Sequence, residues 1–497
     1  MNWKCAITLV AAILALALSS CSGLSTCTTN CTGGGNANVT ITIYDTPPSG
    51  ASILSFSLPI VGISLTPQTG SPVSVYSPSA IQPTELTRLA TDSSLVVSSA
   101  SVASGNYTSL TVTIGATSGV FVNYSGSPIT YMLNGSTFTC VKFAVCQLPA
   151  GAATSISIPI SLTLNGNQSY WVGLDVNLNN AILSTNGISV DFTQANVFTA
   201  TTTPRTGIPS GFVDTIEDFT GKVTALSNSS ISVQNAITSQ TLTASVTSST
   251  AFSTAPTAYS NCNSNNPATC LQVGSTVSLY ADLASNGALT ATEIDSLDVT
   301  ATDEIEGLIY PTATTGVVGL ILFDKTSASG NSVLSASATT FGTPFLLTAT
   351  TSSVTFNVDS GPLTNAAGFS TVGFSGTGSL LAGQMVRAQV ANVVVVNNTN
   401  QATAVNVLLR WSRIPATINS VAGNSFTLTN LPSYISTLNS ALPVTPQANS
   451  YPSNTAFDGI TDASGLTVGG AAAVRALFLD TGSGAQYSFQ AAKVRVP

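Results

Sequence analysis

The run Ile156-Ser157-Ile158-Pro159-Ile160-Ser161-Leu162-Thr163-Leu164, followed by Tyr170-Trp171-Val172-Gly173-Leu174-Asp175-Val176-Asn177-Leu178, decides the fold class of this 497-residue chain. In both runs an apolar side chain stands at every second position. That period puts one set of side chains on a core and the other toward water, which is the pattern of a half-buried strand. It recurs at Val39, Ile41 and Ile43, at Leu54, Phe56 and Leu58, and at Leu110, Val112 and Ile114. Helical spacing shows only near Pro83 to Ala90, and briefly. An all-β, multidomain chain is therefore expected, opening with an antiparallel β-sandwich over residues 38–200.

Composition points the same way. Only 6% of residues are charged while 43% are hydrophobic, so solubility rests on hydroxyl and amide groups and the chain should fold. Its length supplies several cores. With 12 Lys plus Arg against 20 Asp plus Glu, no nucleic acid is expected as a partner, because affinity for nucleic acid comes largely from neutralised phosphates.

The N-terminus has one positive residue, Lys4, an apolar run from Ala6 to Leu18, then Ser19, Ser20 and Cys21. That is the layout of a secretory signal, too short to span a bilayer. Leu18-Ser19-Ser20-Cys21 resembles the lipobox of bacterial lipoproteins. The resemblance implies a signal peptide at 1–20, lipidation of Cys21 and a membrane partner through the lipid anchor. Ser22, where Asp is absent, resembles lipoproteins sent to the outer membrane. Residues 21–37, rich in Gly, Ser, Thr and Asn, read as a flexible tether. Cys5 would be removed with the signal, and the other six cysteines fall into local pairs, Cys27 with Cys31, Cys140 with Cys146, and Cys262 with Cys270, expected as disulfides in an exported protein. Zinc is the rival reading, disfavoured by the absence of histidine and of Cys-x-x-Cys spacing.

Thr42 to Pro47, Ser104 to Ile114 and Tyr170 to Leu178 resemble an uncharacterised domain family of bacterial lipoproteins, whose strand starts are similar to transthyretin-like and carbohydrate-binding-like sandwiches. Residues 201–211 read as a linker. A second pattern then occurs three times, over 212–300, 301–410 and 411–497. Its copies begin at Gly221-Lys222-Val223, Gly307-Leu308-Ile309 and Ala416-Thr417-Ile418, and continue through Phe252, Phe356 and Phe457. The order of features resembles tandem domains of unknown function with a small OB-like β-barrel fold. Three such repeats are expected to extend outward from the sandwich.

Without histidine, Ser-His-Asp and Cys-His sites and His-bearing metal sites are excluded, and no phosphate-binding Gly-rich loop is present. No cofactor and no metal are expected. Trp171, Asp175, Asn177 and Asn179 share the face of their strand opposite the apolar one, a combination that suits a sugar platform, with Trp171 covering a sandwich edge as the structural alternative. Asp214, Glu217 and Asp218, with Asp303, Glu304 and Glu306, stand at the entrances to the first two repeats, either solvated or sharing calcium at a domain joint. Arg410-Trp411-Ser412-Arg413 reads as an interface or interdomain packing motif. The carboxylates do not cluster in sequence. The functional expectation is a non-enzymatic binding or structural role in the cell envelope, toward a glycan or another envelope protein; the alternative is a glycan-active hydrolase using paired carboxylates.

Overall fold

The computed structural model describes residues 35–46, 52–123, 127–142, 144–183, 188–253, 266–297, 302–310, 312, 316–327, 333–334, 342–349, 353–371, 373–436, 442–480 and 487–496. Cys21, Cys27, Cys31 and Cys262 lie outside them. Strands dominate, as the alternation requires. The single stretch with helical spacing forms a 3-10 helix at Leu86–Ala90, whose start is capped by the Glu85 carboxylate accepting from the Thr87 N–H.

In the first part of the chain, one four-stranded sheet orders Phe198–Thr201, Ser169–Asn177, Asn36–Thr46 and Ser94–Ala103, and another orders Thr154–Leu164, Gly105–Ile114, Ile60–Pro67 and Val73–Tyr76. A third carries Val145–Gln147, Ser118–Val122, Ile53–Leu58 and Thr84–Glu85. The buried alternates Ile41, Ile43, Leu110, Val112, Ile114, Val172 and Leu174 join in one core. One ladder differs from the antiparallel expectation: Asn36–Thr46 runs parallel to Ser169–Asn177. More than a hundred residues separate the two, enough for the crossover that a parallel pair needs. A disulfide joins Cys140 and Cys146.

The three later sheets share one topology. Their strands run Phe212–Leu226, Ser230–Gln234, Thr241–Ser245, Ala251–Ser253, Thr276–Ala284 and Leu289–Leu297 in the first. In the second they are Asp303–Tyr310, Val317–Thr326, Pro344–Thr348, Thr355–Val358, Met385–Val396 and Thr399–Arg410. In the third they are Ser412–Ala422, Ser425–Thr429, Gln447–Ser450, Ala456–Asp458, Ala471–Asp480 and Tyr487–Arg495. Each time the spatial order is third, second, first, fifth, sixth, fourth, and a parallel pairing of third with sixth closes a five-stranded ring. This is a small Greek-key barrel of OB type. Closure removes the free sheet edge that an open five-stranded sheet would expose.

The recurring first-strand glycine now has a physical reason. A Cβ on Gly221 would stand 2.3 Å from the Gln234 carbonyl oxygen, and one on Gly307 would stand 2.3 Å from that of Ile321. First and second strands approach too closely for a side chain there. By register against the fifth strand, Ala416 occupies the matching place in the third barrel.

The barrels do not extend outward in a row, which corrects the expectation. They share cores with each other and with the sandwich: Leu54 and Val120 pack with Phe323 of the second barrel and Phe426 of the third, and Trp171 and Leu95 pack with the apolar residues of the first. The apolar surface of each small unit is too large for its own core, so neighbours cover it. Gly221→Ala is expected to destabilise the protein by about 1–3 kcal/mol, read as a lowered midpoint in thermal or urea unfolding, whereas Gly376→Ala, where a Cβ would meet nothing within 4 Å, leaves it unchanged.

Candidate functional site

Strand alternation that buries one face of each barrel strand also projects the other face outward, and in these barrels the outward faces of the first, fifth and sixth strands carry most of the charges, with Asp359 and Asp458 at the ends of fourth strands. Around Ile294, which is in the first barrel's core, stand Glu293 and Asp295; around Val494 of the third stand Lys493 and Arg495. Folding brings these faces together. The first barrel contributes only acids, Asp214, Glu217, Asp218, Glu293 and Asp295. The third contributes Arg413, Arg475, Lys493 and Arg495 with one acid, Asp458. The second contributes Glu306, Asp359, Arg387 and Arg410.

Into this junction the sandwich inserts its 3-10 helix and the residues after it. Arg88 pairs with Asp218 of the first barrel and lies 3.3 Å from Glu306 of the second, while Asp92 receives Lys493 of the third at 2.8 Å. The Ser93 hydroxyl donates to Asp214, and Arg495 donates to the Leu89 and Asp92 carbonyls. Arg475 reaches Glu293 at 3.0 Å and stacks over Tyr280 and Trp411; Arg410 pairs with both Asp295 and Asp359; Arg413 pairs with Glu217. Arg205, from the segment before the first barrel, bridges Asp214 at 3.0 Å and Asp458 at 2.7 Å. Most of these pairs join different units of the fold.

The network separates its carboxyl groups. Burial pushes Glu306 upward, but Arg387, Arg410 and Arg88 outweigh it and hold the group at about 2. Burial likewise opposes Arg495, Lys493 and Arg205, which keep Asp458 at about 2. Glu293 goes the other way: burial, then Asp359 and Asp295, push it up to about 8. Oxygens of Glu293, Asp295 and Asp359 lie within 4.8 Å of one another, the spacing of a metal site. Guanidinium groups already stand there, Arg410 against Asp295 and Asp359, and Arg475 against Glu293, so the chain's own cations neutralise the cluster.

Above the Arg88 side of the network lies a cleft of about 590 Å³ between the sandwich and the first two barrels, within the roughly 300–1,000 Å³ of small-molecule sites. Glu85, Arg88, Glu217, Asp218 and Asp324 line it, with Tyr76 and Phe219, Gln82 and Asn235, and Lys222 and Lys325. Asp218 is fully engaged: Oδ2 faces Arg88 and Oδ1 accepts from the Ser278 hydroxyl. Asp324 is half-buried and accepts from the Lys325 N–H at 2.7 Å; burial, then Asp218 and Glu306, push its carboxyl up to about 7. The Asn235 amide donates to the Gln82 side-chain oxygen at 2.7 Å, which fixes that wall.

The residues expected to form a sugar platform are not brought together. Trp171 is 5% exposed, packs on the first barrel, and donates through Nε1 to Thr42, whose hydroxyl continues to Asp214. Its ring lies over Gly173, where a Cβ would come within 2.6 Å. Asp175 is half-buried and accepts from Thr46, Asn177 closes the strand, and exposed Asn179 sits in the short helix Leu178–Ala181. The acidic groups at the repeat entrances are not solvated: Asp214, Glu217, Asp218 and Glu306 are in the network, Asp303 accepts from the Leu334 N–H, and Glu304 from Gln389. Arg410 and Trp411 are buried between barrels, as an interdomain packing motif would be. Carboxylates scattered in sequence thus cluster in space. The signal that could have found them was their repeated place beside buried apolar positions on equivalent strands.

Residues 220–295 match the Domain of unknown function (DUF5666). They cover most of the first barrel. No curated protein sequence matches the chain. Among solved structures, the chain is similar to one titled Drosophila Unr CSD456, at 9% identity and a TM-score of 0.13 over 56% of this chain and 97% of that one. It is also similar to a multidomain protein with nucleic acid binding domains from Streptococcus pneumoniae, at 12% identity and a TM-score of 0.11 over 57% and 75%. The exclusion of nucleic acid as a partner, drawn from charge counting, is withdrawn in the face of these matches. Such low overall superposition carries no argument about what this chain binds.

Arg88→Ala leaves Asp218 and part of Glu306 buried without a cation and is expected to cost about 3–5 kcal/mol, measured by urea unfolding at pH 7. Because Glu306 and Asp458 are depressed below their unfolded values of about 4.3 and 3.9, their contribution is complete above about pH 4.5 and disappears as pH falls through about 2. Glu293 binds its proton more tightly when folded, so its contribution to stability declines as pH rises from about 4.5 to about 8; Glu293→Gln removes that share of the decline and leaves the share of Asp324, which ends near pH 7. Unfolding curves across this range read both slopes.

Proposed function

We propose that this protein is a lipid-anchored cell-envelope protein that binds a glycan in the cleft between its sandwich and first two barrels, without catalysing a reaction. The observation that carries this reading is the cleft itself: a concave surface of saccharide-binding size, lined by amides, carboxyls and aromatic rings, on walls held in place by Arg88. Polyhydroxylated ligands are recognised by such groups, ring faces stacking on aromatic side chains and hydroxyls bonding to carboxyls and amides.

The alternative, hydrolysis by paired carboxylates, is favoured by one observation: Asp324, protonated in part near neutral pH, shares the cleft with Asp218. The state of Asp218 weighs against it. Both of its oxygens are already bonded to Arg88 and Ser278, which leaves a poor nucleophile and a poor base. A glycan-array screen with parallel detection of released sugar separates the readings. Retention without product, weakened about tenfold or more by Asp324→Asn, is the expected result; product release abolished by the same change would establish the hydrolase.

The anchor is tested separately. Cys21→Ala is expected to move the protein from the membrane fraction to the soluble fraction of its host, and retention in the membrane would mean that something other than lipidation holds it.

A further inference from the structure

We infer that the long hairpin of the second barrel is a self-association edge: residues 391–396 of one molecule pair antiparallel with the same residues of a second copy, across a two-fold axis. The inference is independent of the cleft, none of whose lining residues belongs to this hairpin.

The three barrels supply the comparison. In the first, the first strand pairs along the whole fifth strand, from Thr276 to Ala284, and leaves it no open edge. In the third, that pairing stops at Ala476, but the following Leu477 and Leu479 are buried in the second barrel's core, and Gln384 of that barrel donates to the Phe478 carbonyl at 2.8 Å. In the second barrel the first strand covers the fifth only as far as Val390, and among the described residues 391–396 pair with the sixth strand alone. The fifth and sixth strands, Met385–Val396 and Thr399–Arg410, are also longest here, twelve residues each against nine or ten. Val394, Val395 and Val396 are consequently 54%, 69% and 37% exposed. The same stretch is thus covered by its own barrel in one copy and by a neighbouring barrel in another, and it is bare in the second.

The chemistry of this edge sets what fits it. Between Arg387 and Arg410 no residue is ionisable, in a protein of net charge −8, so two copies meet here without opposing like charges. The same span holds neither proline nor glycine, and Val393 to Val396 are four consecutive β-branched residues. Short uncharged segments of this composition pair with identical segments, and a bare strand edge is their template. A row of valines opposes a row of valines in any antiparallel register, so one two-fold axis satisfies both edges at once. The strand is also preformed. Asn397 and Asn398 have φ of 49° and 62°, the positive pair that a two-residue type I′ turn requires, and a bulge at Asn392 bends the hairpin where it leaves the first strand's cover. Six residues of edge bury well under the roughly 1,200 Å² of a standard interface, so the dimer is weak and concentration-dependent.

Sedimentation velocity of the full-length protein in detergent, over a concentration series, is expected to show a reversible monomer–dimer equilibrium. Val395→Lys and Val395→Glu, both on an exposed side chain, should each weaken the dimer about tenfold or more, because like charges then face each other, and leave the unfolding midpoint unchanged. An equal mixture of the two variants should restore the dimer, since opposite charges now meet across the axis. A monomer throughout the series would overturn the inference. Flotation of a monomeric Cys21→Ala form with phosphatidylcholine vesicles, abolished by Val395→Lys, would assign the hairpin to a lipid surface instead of a second copy. A dimer indifferent to both substitutions would place the contact elsewhere and overturn the assignment of this edge. Loss in each variant without rescue on mixing would overturn the antiparallel two-fold pairing.

Discussion

Arg88 is the side chain on which the arrangement of this molecule depends. It enters from the sandwich on a five-residue 3-10 helix and meets an acid from the first barrel and one from the second. Four residues later Asp92 receives a lysine from the third. One short segment therefore contacts all three barrels with charges of both signs. A charge desolvated to this extent is tolerated only when matched, so a rotation of any barrel that separated a pair would leave an ion uncompensated in a medium that penalises it by several kcal/mol.

That constraint divides the work between apolar and ionic groups. Stability comes from the shared cores, where Ile41, Leu54, Trp171, Phe323 and Phe426 lose contact with water. Buried ion pairs add little net free energy over well-packed apolar residues of the same volume. What they supply is orientation: the acidic seam of the first barrel fits the basic seam of the third, and the mixed seam of the second fits both. Barrels with the same topology are thus distinguished by the charges on their outward strand faces. Here a chain with only 6% charged residues uses most of its cations inside rather than on its surface.

The cleft follows from the same packing of charges. It exists because the sandwich and two barrels are held at a fixed separation by Arg88 and the acids it pairs with. Asp218 and Asp324 share the cleft yet differ in state, one bonded on both oxygens and the other burdened by two neighbouring carboxylates.

The strands were legible in the sequence because alternation is local: Ile156 to Leu164 reports its own buried face whatever packs upon it. The three barrels were legible because duplication preserves order, and Gly221 and Gly307 recur where the first two strands crowd each other. The Cys140–Cys146 pairing followed from short separation. Trp171 misled because alternation says which face a residue shares but not whether another unit covers that face. Glu217 and Arg413 are almost two hundred residues apart, as are Glu293 and Arg475, and nothing in a one-dimensional pattern joins them. The sequence by itself determined the strands, the repeat and the scarcity of charge. Only the tertiary structure decided which charges meet and where a cleft opens, because an ion's partner is selected by three-dimensional packing and desolvation.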